Sequence, residues 1–322
     1  MLQSIWEDIR KEFNYGNMVN RIIIVNVSVF ILITLFWLVL RISHGWDFPI
    51  ATYNSVLHFF LISSDWWHNL THPWVFITSM FMHEELFHIL WNMVFLYWFG
   101  RIVGDFIGDH RVLPIYLLGG LAGNFVFFIL ISLISPADSP PSFALGASGA
   151  VMAIAVASAV LAPNYIIRLL LIGDVRLKYV VLVLLLLDLF FISRDQNTGG
   201  HFAHLGGAAM GGIFVLLLRN GRDLSEPVNR ILMAIRSFLQ SPLRNVSGSK
   251  KKGPKMAYRN PVKTATGGGK SAQAKSSRPS EAGGNGLSYQ EQLDAILDKI
   301  KQSGYDSLSK EEKEFLFNAS KE

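Results

Sequence analysis

The sequence contains no cysteine. That absence excludes disulfide cross-links, thiolate metal sites and a cysteine nucleophile. Charge is scarce as well: Asp, Glu, Lys and Arg make up 16% of the 322 residues, against roughly 25% in an ordinary soluble domain. The scarcity is uneven. Residues 20 to 218 are a succession of apolar runs, whereas 219 to 322 is polar and rich in Lys, Ser and Gly. The N-terminus lacks a short apolar stretch with a small-residue cleavage site, so the first apolar run, from about Arg21, is expected to stay as an anchor. A net charge of +5 could suggest nucleic acid. In a chain this apolar it points instead to basic cytoplasmic segments, and no nucleic-acid partner is expected.

What is there in quantity is long apolar sequence. Six segments, at 20–41, 84–102, 111–134, 146–162, 177–193 and 201–218, predict an all-α membrane protein. A span needs about 20 apolar residues and must satisfy its own backbone polar groups in lipid, which a helix does. The fourth and sixth segments are short and rich in Ala and Gly, which suits tightly packed central helices. Orientation follows from the basic residues. If the six spans alternate, all of the 29 Lys and Arg except Arg41 and Arg194 fall on one side. That side is the cytoplasm, so both termini are expected there, with the bacterial inner membrane as the expected location.

Residues 1–19 then form a cytoplasmic N-terminal segment ahead of a six-span domain at 20–218. The connection 42–83 lies outside. It holds Trp46, Trp66, Trp67 and Trp74, and this aromatic density favours the headgroup zone; a small folded outer cap is the alternative. Residues 219–245 are juxtamembrane, and Arg230–Leu239 has the helical spacing of a segment lying along the inner membrane surface. Residues 246–286 read as a disordered linker, whose Lys250, Lys251 and Lys252 offer either a contact for anionic lipid or a plain solvated run. From 287 to 322 helical periodicity returns. Leu293, Ile296, Leu297 and Ile300 share a face, Gly304 breaks the pattern, and Ser309 with Glu312 forms a capping box. Such a hairpin is too small to hold a core alone, so a protein partner or a second copy is expected.

Polar groups inside spans are costly and are therefore candidates for chemistry. Three clusters occur, each near the outer end of an even-numbered span. The first is His83, His88 and Asn92, of which His88 and Asn92 share a helix face. The run HEELFH does not make a helical zinc pair: a spacing of five turns the second His by about 140°, where four leaves about 40°. The second cluster is Gly146-Ala147-Ser148-Gly149. A serine hydroxyl needs a base to become a nucleophile, and a helix N-terminus offers N–H groups to an oxyanion. The third is His201-Phe202-Ala203-His204 followed by Gly206 and Gly207. Gly207 and Gly211 form a GxxxG pair that admits a neighbouring helix. Spacing does not decide between the two histidines, although His204 lies deeper. Each cluster alone has an ordinary packing explanation; together they supply a nucleophile, a base and oxyanion donors. Asp188, in span five, receives no role, so a two-residue Ser–His arrangement is the simplest reading.

This order of motifs, HxxxN in span two, GxSG in span four and His before Gly-Gly in span six, resembles the rhomboid family of intramembrane serine proteases. The approach from His72-Pro73-Trp74 through Phe81 and His83 is similar too. The resemblance covers about residues 20–218. It implies a six-helix bundle around a water-accessible cavity open to the outside, with Ser148 as nucleophile and His204 as general base. His88 and Asn92 would stabilise the oxyanion beside the Ser148 N–H, without metal or organic cofactor. The implied substrates are transmembrane segments of membrane proteins, cut where their helix unwinds near the outer face, with membrane lipids as the other partners. Two positions depart from the family: the outer loop has no Trp-Arg pair, and Met152 stands where relatives often carry an aromatic residue. A non-proteolytic chaperone or scaffold on the same fold is the alternative, although such relatives usually lack the serine or the histidine. A transporter would show ionisable residues along a through-path, not near one face.

Overall fold

The computed structural model describes residues 2–45, 47–136, 138–169, 173–192, 197–246, 289–303 and 308–319. The chain divides into two compact units, Met1–Lys250 and Lys251–Glu322. In the first unit, helix α1 (Leu2–Tyr15) precedes α2 (Met18–His44). Three short helices follow: α3 (Ile50–His58), α4 (Trp66–Thr71) and α5 (Val75–Thr78). Then come α6 (Leu86–Ile107), α7 (Val112–Ile134), α8 (Ser148–Leu161), α9 (Leu177–Ile192), α10 (Thr198–Arg219) and α11 (Ser225–Val246). Four helical stretches, Met18–His44, Leu86–Ile107, Asp109–Ile134 and Thr198–Arg219, are long and apolar enough to cross a membrane. Helices α8 and α9 are shorter. The chain is an all-α, multi-spanning membrane protein, two small strand pairs aside.

Helix α8 is the centre. Its small side chains let α6, α7 and α10 pack directly against it, and Gly149, Ala150, Val151, Ala153, Ile154, Ala155, Ala157 and Ser158 are all buried. The closest approach is to α10. A Cβ on Gly207 would collide with the Gly149 carbonyl, and one on Gly211 with that of Ala153. The GxxxG pair therefore works as expected: only glycine lets these two backbones touch. Peripheral helices are the reverse. On α9, Leu182, Val183, Leu186, Leu187, Leu189 and Phe190 are exposed, as on α2 are Leu32, Leu35, Trp37 and Val39. Exposed apolar faces of this extent suit lipid rather than water.

Polar ties close the two ends. At one end the carboxylate of Asp109, between α6 and α7, accepts from the Met18 N–H that starts α2 (2.8 Å). Arg111 pairs with Asp223, just beyond α10 (2.7 Å), and Arg219 donates to the Val160 carbonyl near the end of α8 (2.6 Å). At the other end strand β1 (Ile62–Ser63) pairs antiparallel with β2 (Phe143–Ala144), Ile62 facing Ala144 and Ser63 facing Phe143. A second pair, β3 (Ile166–Leu169) with β4 (Gly173–Arg176), links α8 to α9. Buried Tyr116 and Asn124 of α7 are satisfied by the 42–83 connection. Tyr116 donates to the Met80 carbonyl (2.9 Å), and Asn124 donates to Ser79 Oγ and the Phe76 carbonyl (both 2.8 Å).

The 42–83 connection takes the folded form that was the alternative. It is folded around Tyr53, Leu57, Leu61 and Met82, yet Trp66 and Trp67 stand 59% and 69% exposed. In the second unit α12 (Tyr289–Ser303) and α13 (Lys310–Ala319) bury Ile296 and Leu308. Ser309 Oγ accepts from the Glu312 N–H (3.2 Å) and the Glu312 carboxylate from the Ser309 N–H (2.7 Å), which is a capping box. Lys299 of α12 bonds the same carboxylate (2.8 Å). The linker beyond residue 246 and the break at Gly304 lie outside the described residues, as do Trp46 and Arg194.

Candidate active site

Ser148 is the first residue of α8, and what precedes it is held from three sides. The Gly146 N–H donates to the Ser79 carbonyl (2.9 Å), the Ala147 N–H donates to His83 Nε2 (3.3 Å), and β2 is paired to β1. His83 is fully buried. Its Nε2 accepts, so any proton on the neutral ring sits on Nδ1. Gly146 has φ +123°, a conformation that L side chains rarely adopt. A Cβ there would also stand 2.8–2.9 Å from the His88 ring and 3.7 Å from Ser148 Oγ. Glycine at 146 thus lets the His88 imidazole lie beside the serine hydroxyl.

The three clusters expected to act together do line one cavity of about 760 Å³: Ser148, His204, His88 and Asn92 all face it. Its other walls are largely apolar, with Phe95, Phe99, Val151 and Met152 among them. Met152 thus occupies cavity wall, as its position one turn beyond Ser148 requires. One amide hydrogen of Asn92 is used within its own helix, on the His88 carbonyl (2.9 Å), which leaves the other N–H to donate elsewhere. His204 stands one turn before Gly207, and Gly207 lies against Gly149, the residue after Ser148. That packing puts the imidazole and the hydroxyl on the same cavity. Among the described residues no hydrogen bond joins Ser148 Oγ to His204, a separation common in substrate-free sites.

Asp188 was left without a role by the sequence, and the structure gives it two partners. Its Oδ1 accepts from His201 Nδ1 (2.7 Å) and from His204 Nδ1 (2.8 Å). The two histidines differ in place: both bond the carboxylate, but of the two only His204 lines the cavity. With Nδ1 donating to Asp188, the His204 Nε2 lone pair is free to accept a proton. The signal in the sequence was a single carboxylate inside the run LLLLDLFF, which lipid would not tolerate unpaired.

The 42–83 connection touches the wall of this cavity. The His58 ring stacks on Phe143 of β2 at 3.7 Å between centroids, and Phe143 is part of the wall. Burial, then the charge of His68, lowers the His58 pKa below the ordinary histidine value. Glu84, also on the wall, accepts from the Tyr53 hydroxyl (3.0 Å). Burial together with the Glu84 charge pushes that hydroxyl above the ordinary tyrosine range, so it remains a donor.

Residues 70–221, just under half of the chain, match the Rhomboid domain model. The chain carries a rhomboid-family membrane domain. The match runs from the end of α4 to the end of α10 and so includes all of the cavity's polar residues. RHOMBOID-like protein 12, mitochondrial, of Arabidopsis thaliana is 35% identical over 166 residues, 45% of this chain and 46% of that protein. Rhomboid-like protein 11, chloroplastic, of the same plant is 28% identical over 47% of this chain and 55% of its own length. Presenilin-associated rhomboid-like protein, mitochondrial, of Rattus norvegicus is 28% identical over 50% and 42%. The chain spans about half the length of the curated relatives it matches. These rhomboid relatives are organellar proteins of eukaryotes, whereas the sequence suggested a bacterial inner membrane. Residues 287–322, outside the rhomboid domain, match a family of unknown function (DUF6576).

Proposed function

We propose that this chain is an intramembrane serine endopeptidase that cleaves transmembrane segments near the outer face of a membrane. The observation that carries this reading is the meeting of Ser148, His88, Asn92 and an Asp188-bound His204 on one cavity inside a rhomboid domain. Ser148 Oγ attacks a peptide carbonyl while His204 Nε2 takes its proton. The oxyanion receives N–H groups from His88, Asn92 and the Ser148 backbone. His204 then protonates the leaving amine, and water, activated by the same imidazole, hydrolyses the acyl-enzyme. Asp188 is a positioning residue: it holds the proton on His204 Nδ1 and steadies the imidazolium that forms. No residue in this scheme requires a metal or an organic cofactor.

The topology proposed with it has six spans, α8 and α9 completing the set. The ties of Met18 to Asp109, of Arg111 to Asp223 and of Arg219 to Val160 support it, because they gather at one end the helix termini that alternation puts there. With the basic residues on that side, both termini are cytoplasmic, in a bacterial inner membrane. A continuous substrate helix hides its carbonyls in hydrogen bonds, so the preferred substrate is a span that unwinds near the outer face.

The test is cleavage of a single-span model substrate by purified wild-type, Ser148→Ala and His204→Ala proteins in detergent. We expect cleavage by the wild type and none by either variant, with all three equally folded by thermal unfolding. Cleavage surviving in Ser148→Ala would overturn the mechanism, and an inactive wild type on a panel of spans would favour a non-proteolytic scaffold.

A further inference from the structure

The carboxylate that steadies His204 is not fully used. Asp188 Oδ1 serves two histidines, but Oδ2 is inaccessible and has no hydrogen-bond partner, on a side chain only 8% exposed. A buried carboxylate oxygen without a partner is costly, so it points to a ligand. The groups around it define which. His201 and His204 stand three residues apart on one face of α10, Asp188 reaches across from α9, and one donor atom from each lies within 4.8 Å of the others. We propose that Asp188, His201 and His204 form a binding site for a divalent cation of the zinc class, and that its occupation switches off His204.

The donor set fits. Two imidazoles and a carboxylate are ligands that zinc accepts, three from protein with the fourth position open. Zinc–ligand bonds of about 2.0–2.2 Å in a tetrahedron set donors about 3.3 Å apart, so the present 2.7 and 2.8 Å contacts need to open by about half an ångström. His204 and Asp188 face the cavity, which gives the ion an entry path. The charge there is also right: among the described lining residues Glu84, Glu85 and Asp188 are acidic and none is Lys or Arg.

The consequence is a contest over one atom. In the hydrogen-bonded state the His204 proton sits on Nδ1, facing Asp188, and Nε2 is the free acceptor. A cation on Nδ1 displaces that proton, and the neutral ring then carries its one hydrogen on Nε2, where it can only donate. The hydroxyl of Ser148 loses its base. This effect on cleavage rests on the Ser148–His204 reading above; the binding itself does not.

The experiment uses the full chain, purified in detergent and stripped of metal, titrated with Zn²⁺ by calorimetry. Wild type, His201→Ala and Asp188→Asn are compared, with thermal unfolding to verify folding; the nearly isosteric Asp188→Asn serves if His201→Ala fails to fold. We expect one Zn²⁺ per wild-type chain and an affinity at least about tenfold weaker in each variant, since even groups behind a metal ligand are worth about 10–100-fold. In parallel, Ser148 is labelled with a fluorophosphonate. Zn²⁺ should slow labelling of the wild type, a chelator should restore it, and His201→Ala should respond weakly. No stoichiometric binding by the wild type, or equal binding by the variants, overturns the site; equal binding would put the ion elsewhere, for instance on His58, His68 and His72. Stoichiometric binding that is lost in the variants, with Ser148 unlabelled even without metal, would uphold the site and count against the catalytic reading.

Discussion

Helices α8 and α9 are both short and apolar, yet they occupy opposite environments. Most residues of α8 are buried and none is exposed, whereas on α9 only Leu177, Val181 and Asp188 are buried. Hydrophobicity does not separate them, because lipid solvates Leu as well as the protein interior does. Side-chain size does. Ala and Gly on α8 let three other helices approach, and the Leu-rich surface of α9 keeps its neighbours at a distance and faces outward. The one deeply buried polar side chain of α9, Asp188, is the exception that reaches the site. Helices α8 and α10 thus supply both the packed centre and the cavity residues Ser148 and His204, whereas α9 adds one buried carboxylate, Asp188.

The sharpest test of that division is Asp188→Asn. An amide in place of the carboxylate favours the wrong His204 tautomer, and cleavage should fall by about 10²–10⁴-fold with little change in KM. A fall no larger than twofold would leave α9 without a chemical role. Next is Gly207→Val on α10, which drives a side chain into the Gly149 backbone. Overpacking of this kind costs about 1–3 kcal/mol, read as a lower unfolding temperature in detergent, with activity lost alongside. Gly146→Ala tests the same tightness at the serine. It meets both the strained φ and the His88 ring, so a stability loss of about 1–2 kcal/mol should accompany a larger loss of cleavage.

Smaller effects are expected at the periphery. Burial alone would raise the Asp223 carboxyl pKa, but hydrogen bonds from Ser225 and Arg111, with the guanidinium charge, hold it below its ordinary value. Its folded pKa is depressed, so its contribution is complete above the unfolded value of about 4 and is lost as pH falls through the lowered native value. Asp223→Asn should therefore cost about 1 kcal/mol or less near neutral pH, and chemical denaturation curves of the two proteins should converge in acid. Smallest of all is Leu186→Ala on the outer face of α9, expected within about 0.5 kcal/mol of wild type. A drop as large as that of Gly207→Val would break the comparison.

Much of this was legible in the sequence because membrane spans carry strong signals. Each of the six apolar runs is a helix within five residues of its expected ends, the largest miss being the end of α6 at Ile107, and the Ala-Gly composition of 146–162 and 201–218 already marked the tightly packed helices. The polar residues of three separate runs could be brought to one depth because lipid makes each of them costly. Asp188 was harder. Its partners stand 13 and 16 residues away on a different apolar run, so no periodicity connects it to His201 or His204. The hold of His83 on the Ala147 N–H, 64 residues on, was equally invisible, as was helix α1, whose polar composition gives no span signal. Long-range hydrogen bonds are set by packing, and packing has no linear signature.

The tie between Met18 and Asp109 has a consequence in time as well as in space. The two residues are 91 positions apart, and the amide that opens α2 is bonded to a carboxylate made long after it. On a ribosome, where synthesis runs at about 5–20 residues per second, α2 enters the bilayer several seconds before that carboxylate emerges. Until then the Met18 amide is left to interfacial water, and the first helix is anchored but not locked. Its final seating waits on the arrival of the α6–α7 link, so α2 is completed only after α6 has followed it.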